Sequence, residues 1–457
     1  MAANEDRSRF AGRFGRYASV GAGLGGAAAG VAARRLVGAV TGGDASSLNR
    51  RDAEAIKAAL GGLKGPLMKA AQIMATVPDL LPPEFAEELS SLQSEAPPMG
   101  PGFVRRRMAG ELGADWREKF AEFDLAAAAA ASLGQVHRAM HSDGRPLACK
   151  LQYPDMRSAI DADLEQLKLA LSIFKRIEPA IDTSAVYEEL TARLREELDY
   201  EREAAHMALY RSILADTPSV HVPEPVTDLS TGRLLSMTWI AGEKLLAFKE
   251  HAQGERNAIA TNLFHAWWRP FATHGVIHGD PHLGNYSVRA DDLSVNLLDF
   301  GCVRVFPPRF VLGVVELYRA LLTDDRAAQV AAYEVWGFKG LSEELVDTLN
   351  LWARFIYGPI LDDRTRTVAD GVSPAEYGRR EAFEVRERLK KYGPVKIPRE
   401  FVLMDRAAIG LGSVFLHLDA ELNFHSLFEA EIDGVSLERL SDRQSAALAA
   451  AKVPQAD

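Results

Sequence analysis

The segment His278-Gly279-Asp280-Pro281-His282-Leu283-Gly284-Asn285, followed one short hairpin later by Leu298-Asp299-Phe300-Gly301, constrains this chain more than any other part of it. An Asp with an Asn five residues on, then an Asp-Phe-Gly after a strand, is the order of parts used for phosphoryl transfer. A nucleoside triphosphate needs one carboxylate to orient the attacking oxygen. It needs a second carboxylate and an amide oxygen to hold Mg2+ against the phosphates. Asp280, Asp299 and Asn285 match those three roles.

The chain has 457 residues, enough for roughly two to three domains' worth of core. A hydrophobic content of 47% and a charged content of 25% are those of an ordinary globular protein. The net charge of -10 argues against a general nucleic-acid binder, because neutralising phosphates needs clustered Lys and Arg. Cys149 and Cys302 are the only cysteines, so no disulfide framework exists and a reducing compartment is expected.

Arg7, Arg9, Arg13 and Arg16 precede a Gly/Ala stretch from Ala18 to Ala33 that ends at Arg34-Arg35. Gly and Ala contribute little to membrane insertion, and a spanning helix needs about 20 strongly apolar residues. The Gly21/Gly25 and Gly26/Gly30 spacings are those that let membrane helices approach closely. A flexible leader, a membrane-associating helix and a cleaved targeting peptide all remain open for residues 1–45.

Helical patterning follows from Ser47 to Met99, interrupted by Pro78, Pro82 and Pro83. Two strand-like runs, Gln135 to Met140 and Leu147 to Gln152, flank a turn at Ser142-Asp143-Gly144 and predict a hairpin. Helices are expected from Asp155 to Arg176, from Ser184 to about Leu214, and from Asn257 to His274. Strands are expected at Val220 to Val226 and Leu234 to Trp239. Beyond Pro307 the pattern is helical apart from a Pro/Gly-punctuated stretch between Gly358 and Pro398, and residues 446–457 suggest a frayed, flexible tail. The order of elements implies an α+β, two-lobed protein-kinase-like layout. Residues 46–119 form a helical extension, 120–240 an N-terminal lobe and 241–445 a helix-rich C-terminal lobe.

Lys150 ends a strand in Ala148-Cys149-Lys150, close to the Ala-x-Lys of the kinase third strand, where the ammonium meets phosphates and a helix glutamate. Alone it is a weak signal and reads first as an exposed strand-end lysine; the later motifs favour the phosphate role. The helix expected from Ser184 offers Glu196, Glu197, Asp199, Glu201 and Glu203. Asp199 and Glu203 would share a face, with Glu197 roughly 120° round from Glu203. A solvated charged face is the plainer alternative. Where a kinase has its Gly-rich loop this chain has Ala126 to Ala131, Ser132, Leu133 and Gly134. Alanine there restricts backbone approach to phosphate, and a low-complexity linker is the alternative. His278 and His282 have zinc-like spacing, but Pro281 lies between them and no third ligand is near. Bracing of the loop by His278 is the better reading.

Together these residues resemble the UbiB/AarF (ADCK) family of atypical protein-kinase-like proteins, from about Ser47 to the C-terminal helices. Three features carry the resemblance: the alanine-rich loop at Ala129-Ala130-Ala131-Ser132, Glu-x-Asp at Glu197-Leu198-Asp199, and a Lys-x-Gly-Gln-like motif at Lys69-Ala70-Ala71-Gln72 followed by Pro78 to Phe85. The family's glycine is Ala71 here, which a helix interior tolerates better than glycine. The resemblance implies a helical extension over the site, with Lys69, Gln72 and Glu197 near the phosphates, which blocks protein substrates. It also implies Glu203 paired with Lys150, Asp280 as the catalytic carboxylate, and Asn285 and Asp299 for metal. Adenine would be read at Met237-Thr238-Trp239-Ile240, and the cofactors would be ATP or ADP with Mg2+. Implied partners are nucleotide, a lipid or quinone precursor and a membrane surface, with no nucleic acid; a homodimer is left open. The implied place is bacterial, cytoplasmic or peripheral to the inner membrane, or else the matrix side of the mitochondrial inner membrane, in support of ubiquinone biosynthesis. Two alternatives stand beside this: a small-molecule phosphotransferase of the aminoglycoside or choline kinase type, and a nucleotide-gated lipid-binding scaffold.

Overall fold

A computed structural model of the protein describes residues 99–131, 133–154, 183–370, 379–392 and 398–455, with scattered positions between 156 and 168. The leader, the Lys69 to Phe85 segment and Ser132 lie outside the described residues. In chain order come α1 (Pro101–Leu112), β1 (Phe120–Ala131), β2 (Gly134–His141), β3 (Pro146–Gln152), α2 (Thr183–Glu196) and α3 (Tyr200–Ile213). Next are β4 (Val220–His221), β5 (Leu234–Thr238), β6 (Glu243–Lys244), α4 (Gln253–His274), β7 (Val276–His278), β8 (Tyr286–Val288), β9 (Val295–Leu297) and β10 (Val303–Val305). Helices complete the chain: α5 (Pro308–Leu322), α6 (Arg326–Val335), α7 (Glu343–Leu361), α8 (Arg379–Tyr392), α9 (Arg399–Leu418), α10 (Phe424–Ile432) and α11 (Leu437–Ala451). Among the described residues no helix is long and apolar enough to cross a membrane.

The chain divides into two compact units, one of residues up to Tyr200 with Leu229–Ser236, the other of Glu201–Asp228 with Met237 onward. The first is built on a sheet of order β1-β2-β3-β5. Leu147, Cys149 and Leu151 alternate along β3 and are fully buried, as the period of two requires. The predicted hairpin is present, with Gly144 at φ 89 in its turn and Arg138 opposite Ala148. At the other end of β2, a Cβ on Gly134 would stand 2.3 Å from the Leu151 carbonyl, so only glycine lets β1 turn into β2 against β3.

The second unit packs helices around α4. Ile259, Leu263, Phe264, Trp267 and Phe271 are buried along it at helical spacing. Gly275 ends this helix at φ 64, where a Cβ would stand 2.6 Å from Gln444 Nε2 and 2.9 Å from the Phe306 carbonyl. The chain then passes directly into β7, which pairs antiparallel with β10, while β8 and β9 form a hairpin inside the sheet β4-β9-β8-β6.

Four sequence expectations change. The helix expected from Ser184 to Leu214 is two helices, because buried Gln152 donates to the Leu198 carbonyl at 2.8 Å and takes it from the helical ladder. Glu197 and Asp199 therefore lie in the turn before the helix that carries Glu203, not on its faces. The strand expected at Val220 to Val226 stops at His221; Pro223 and Pro225 lack the donors a ladder needs. The Pro/Gly-punctuated stretch contains α8. The tail expected to fray instead begins inside α11, whose Leu448 is 1% exposed. A left-handed turn at Lys452 lets Val453 N bond the Leu448 carbonyl at 2.9 Å.

Candidate active site

In the sheet unit the alanine run is the second half of β1 rather than an unpaired loop, with Ala129 opposite Val136 and Ala131 opposite Gly134. Ladder bonds to β2 outweigh alanine's preference for helix. Register shifts on both sides of Ala127 bend this strand. Its base is fixed by a chain of bonds: Met99 N to Gln135 Oε1 at 2.7 Å, Gln135 Nε2 to His137 Nε2 at 2.8 Å, and His137 Nδ1 to the Asp124 carbonyl at 2.9 Å. Because the Gln135 amide donates to Nε2, His137 carries its proton on Nδ1 and is neutral. Burial lowers its pKa in the same sense, outweighing the Asp124 carbonyl that favours the charged form. Asp124 also accepts from Ala126 N at 2.8 Å. Ala129 and Ala130 are exposed and Ala131 half-buried.

Lys150 lies on β3 opposite Val136, with its ammonium 5.2 Å from the centroid of the Tyr200 ring. Its neighbour Cys149 is buried, which pushes the thiol up to about 12; Ser236 donates to its sulfur at 3.5 Å. That thiol is a small hydrophobe, not a nucleophile. Glu197 and Asp199 flank buried Leu198 in the turn between α2 and α3, half-buried and exposed respectively.

The helical unit carries Asp280, Asn285 and Asp299. β7 delivers the chain to Gly279, whose N–H donates to the Cys302 carbonyl at 2.7 Å; a Cβ there would meet that same oxygen at 2.7 Å. His278, 2% exposed, bonds the Asp299 carbonyl through Nε2, and Trp267 Nε1 donates to the His278 carbonyl at 3.1 Å. The expected bracing by His278 is thus physical: it ties the loop after β7 to the loop before β10. His282 accepts from Gly284 N at 3.0 Å and so shapes the short turn Leu283–Asn285. At the base of the β8–β9 hairpin, Leu298 N donates to the Asn285 carbonyl at 3.0 Å, which sets Asn285 beside the residue before Asp299.

The Asn285 side chain is oriented. Its Nδ2 donates to the Asp280 carbonyl at 2.9 Å, so Oδ1 is the atom it can present to a ligand. Asp299 Oδ1 accepts from Gly301 N at 3.0 Å. Asp280 is exposed; burial, and after it the charge of Asp280, raises the pKa of the Tyr286 hydroxyl. Among the described residues no three His, Cys, Asp or Glu side chains cluster for a metal. One carboxylate with an amide oxygen suits Mg2+, which keeps waters and takes its other ligands from phosphates.

Sequence reasoning did not find the residues that support this loop. His206 and Tyr210, on α3, approach the Asp-Phe-Gly segment: His206 Nδ1 lies 3.2 Å from the Phe300 carbonyl, and the rings of Tyr210 and Phe300 are 5.5 Å apart. Glu203, 2% exposed, is three residues before His206 and seven before Tyr210, so it shares that helix face. A spacing of three, four and seven was the available signal. From α9, a Cβ on Gly410 would stand 2.8 Å from Pro281 Cγ, so the helix presses on the Asp280 loop. Met237 is buried and Trp239 half-buried where the chain passes into the helical unit; there Thr238 exchanges bonds of 2.9 Å with Glu224.

A sheet unit with a strand lysine and a helical unit with paired Asp loops define a protein-kinase-like fold. A family model described as the ABC1 atypical kinase-like domain matches residues 91–333. The chain belongs to that family. It is 31% identical over 262 residues to the mitochondrial atypical kinase COQ8 of Saccharomyces cerevisiae, which covers 57% of this chain and 52% of that protein. It is 28% identical over 354 residues to AarF domain-containing protein kinase 1 of Xenopus tropicalis, 75% of this chain and 65% of that one. The chain spans about half the length of the curated relatives it matches. Among solved structures, the Rv3197–erythromycin complex from Mycobacterium tuberculosis matches with a TM-score of 0.58 and 28% identity, over 82% of this chain and 94% of that one.

Proposed function

We propose that this atypical kinase-like protein binds ATP with Mg2+ and transfers or hydrolyses the terminal phosphoryl group, on a small molecule or water rather than on protein. The observation that supports this best is the orientation of Asn285, whose amide nitrogen donates to the Asp280 carbonyl and so leaves its oxygen as the ligand atom, on a residue whose carbonyl accepts from Leu298 N, next to Asp299. Mg2+ held by Asn285 and Asp299 would offset the charge on the phosphates. Asp280 orients the attacking hydroxyl and receives its proton, Lys150 meets the phosphates, and Glu203 positions that lysine. Ala129 to Ser132 cover the nucleotide and Met237 to Ile240 read the adenine. Lys69, Gln72 and Glu197 close the site and exclude a protein substrate, as the family resemblance implies. The same kinship supports a role in ubiquinone or other isoprenoid-quinone biosynthesis, or in lipid handling, at a membrane.

The test is thermal unfolding of the full chain with Mg2+ and ATP or ADP, repeated on Asp299→Asn. The wild type is stabilised and the variant is not; no shift with any nucleotide overturns the reading. Hydrolysis with and without anionic liposomes and quinone-precursor-like phenols then separates a lipid-linked ATPase from an uncoupled one.

A further inference from the structure

The helical unit contains a concave, partly open site bounded by α4, α5, α7 and α9, with about 830 Å³ of empty space including its mouth. Its walls include Trp268, Trp336, Trp352, Tyr357, Phe401 and Phe415. Asp405 is the one charged side chain among the described residues that line it.

An acid here needs a reason. Two other polar atoms of the wall are engaged: Trp336 Nε1 donates to the Phe310 carbonyl at 3.1 Å and Tyr357 OH to the Val314 carbonyl at 3.2 Å. Trp352 Nε1 donates to Asp405 Oδ2 at 2.6 Å, and Asp405 Oδ1 has no partner among the described residues. Asp405 is half-buried and lines the cavity. A carboxylate without a cation in such surroundings is costly. Burial pushes its pKa up to about 7, against the lowering by Trp352. The complement is a ligand that brings the cation with it, and indole and phenol faces favour the same charge.

We propose that this cavity binds a compact apolar molecule carrying one basic nitrogen, whose N–H donates to Asp405 while its apolar body packs on Trp268, Trp336 and Phe415. The site is built from different residues than the Asp280, Asn285 and Asp299 loops, and binding there does not require nucleotide.

The experiment titrates the full chain at neutral pH, by calorimetry, with 1-naphthylmethylamine, 1-naphthylmethanol and 1-naphthoate. The amine binds at least about tenfold more tightly than the alcohol, and the naphthoate most weakly. Asp405→Asn keeps an acceptor for Trp352 and removes the charge; it brings the amine to the alcohol's affinity. Ala408→Phe fills the cavity and abolishes binding of both, which decides the matter should Asp405→Asn not fold. Equal binding of amine and alcohol, no binding of either, or an amine preference that survives Asp405→Asn or Ala408→Phe overturns the proposal. A purely structural Asp405, serving only to hold Trp352, gives the first or second of these results.

Discussion

Glu431 shows how single residues hold the helical unit together. It is 8% exposed, with His265 against one carboxyl oxygen and Arg269 bonding both oxygens at 3.1 and 3.3 Å. Burial alone would raise its pKa; the bonds from His265 and Arg269 outweigh burial and hold it below the usual carboxylate range. A depressed pKa means that the ionised form stabilises the fold. That contribution is present above the ordinary glutamate value and is lost as pH falls through the lower folded value. Glu431→Gln is expected to cost about 3 kcal/mol near neutrality, since it leaves Arg269 facing a neutral amide. Urea unfolding near pH 7 and again below about pH 4 checks this, with the gap from wild type shrinking in acid. Gly134 makes a steric counterpart. Gly134→Val places a side chain 2.3 Å from a main-chain oxygen that cannot rotate away, and is expected to destabilise the protein by about 1–3 kcal/mol or more in the same assay.

Elements were legible where local chemistry decides them. Ser142-Asp143-Gly144 announces the β2–β3 hairpin, and the apolar spacing from Asn257 announces α4. They were illegible where a distant residue decides. Nothing between Ser184 and Leu214 shows a break; Gln152, 46 positions earlier than Leu198, makes it. The alanine run has the composition of a helix or a linker and becomes strand because β2 supplies its ladder. Asp280, Asn285 and Asp299 stand in a motif whose order along the chain is visible, whereas Tyr210, His206 and Gly410 act by packing, which leaves little local trace. The end of α11 follows the same logic. Its residues are mostly small, yet Leu448 is buried and Gln444 donates to the His274 and Phe306 carbonyls at 2.8 Å each. Leu448→Ala is expected to cost about 2–5 kcal/mol, a result that a loose tail would not give.

For the molecule as a whole, the division into a sheet unit and a helical unit accords with the kinase-like family to which the chain belongs. The Gly/Ala stretch with its flanking arginines adds a feature that a phosphoryl-transfer site does not need. Flotation with anionic liposomes tests it. The full chain is expected to float and a chain lacking residues 1–45 to remain behind; equal flotation of both would place any membrane contact elsewhere.

The contact of Gly410 with Pro281 has a consequence in time. Translation runs at roughly 5–20 residues per second, so the loop bearing Asp280 is made about 6–26 s before the helix that presses on it. Gln444, which ties the chain on either side of that loop, is made later still. A ribosome-bound chain therefore holds every residue of the loops that bear Asp280, Asn285 and Asp299 while two of their supports are missing. Transcripts cut short before α9 are expected to yield protein with the complete motif and no nucleotide-induced stabilisation.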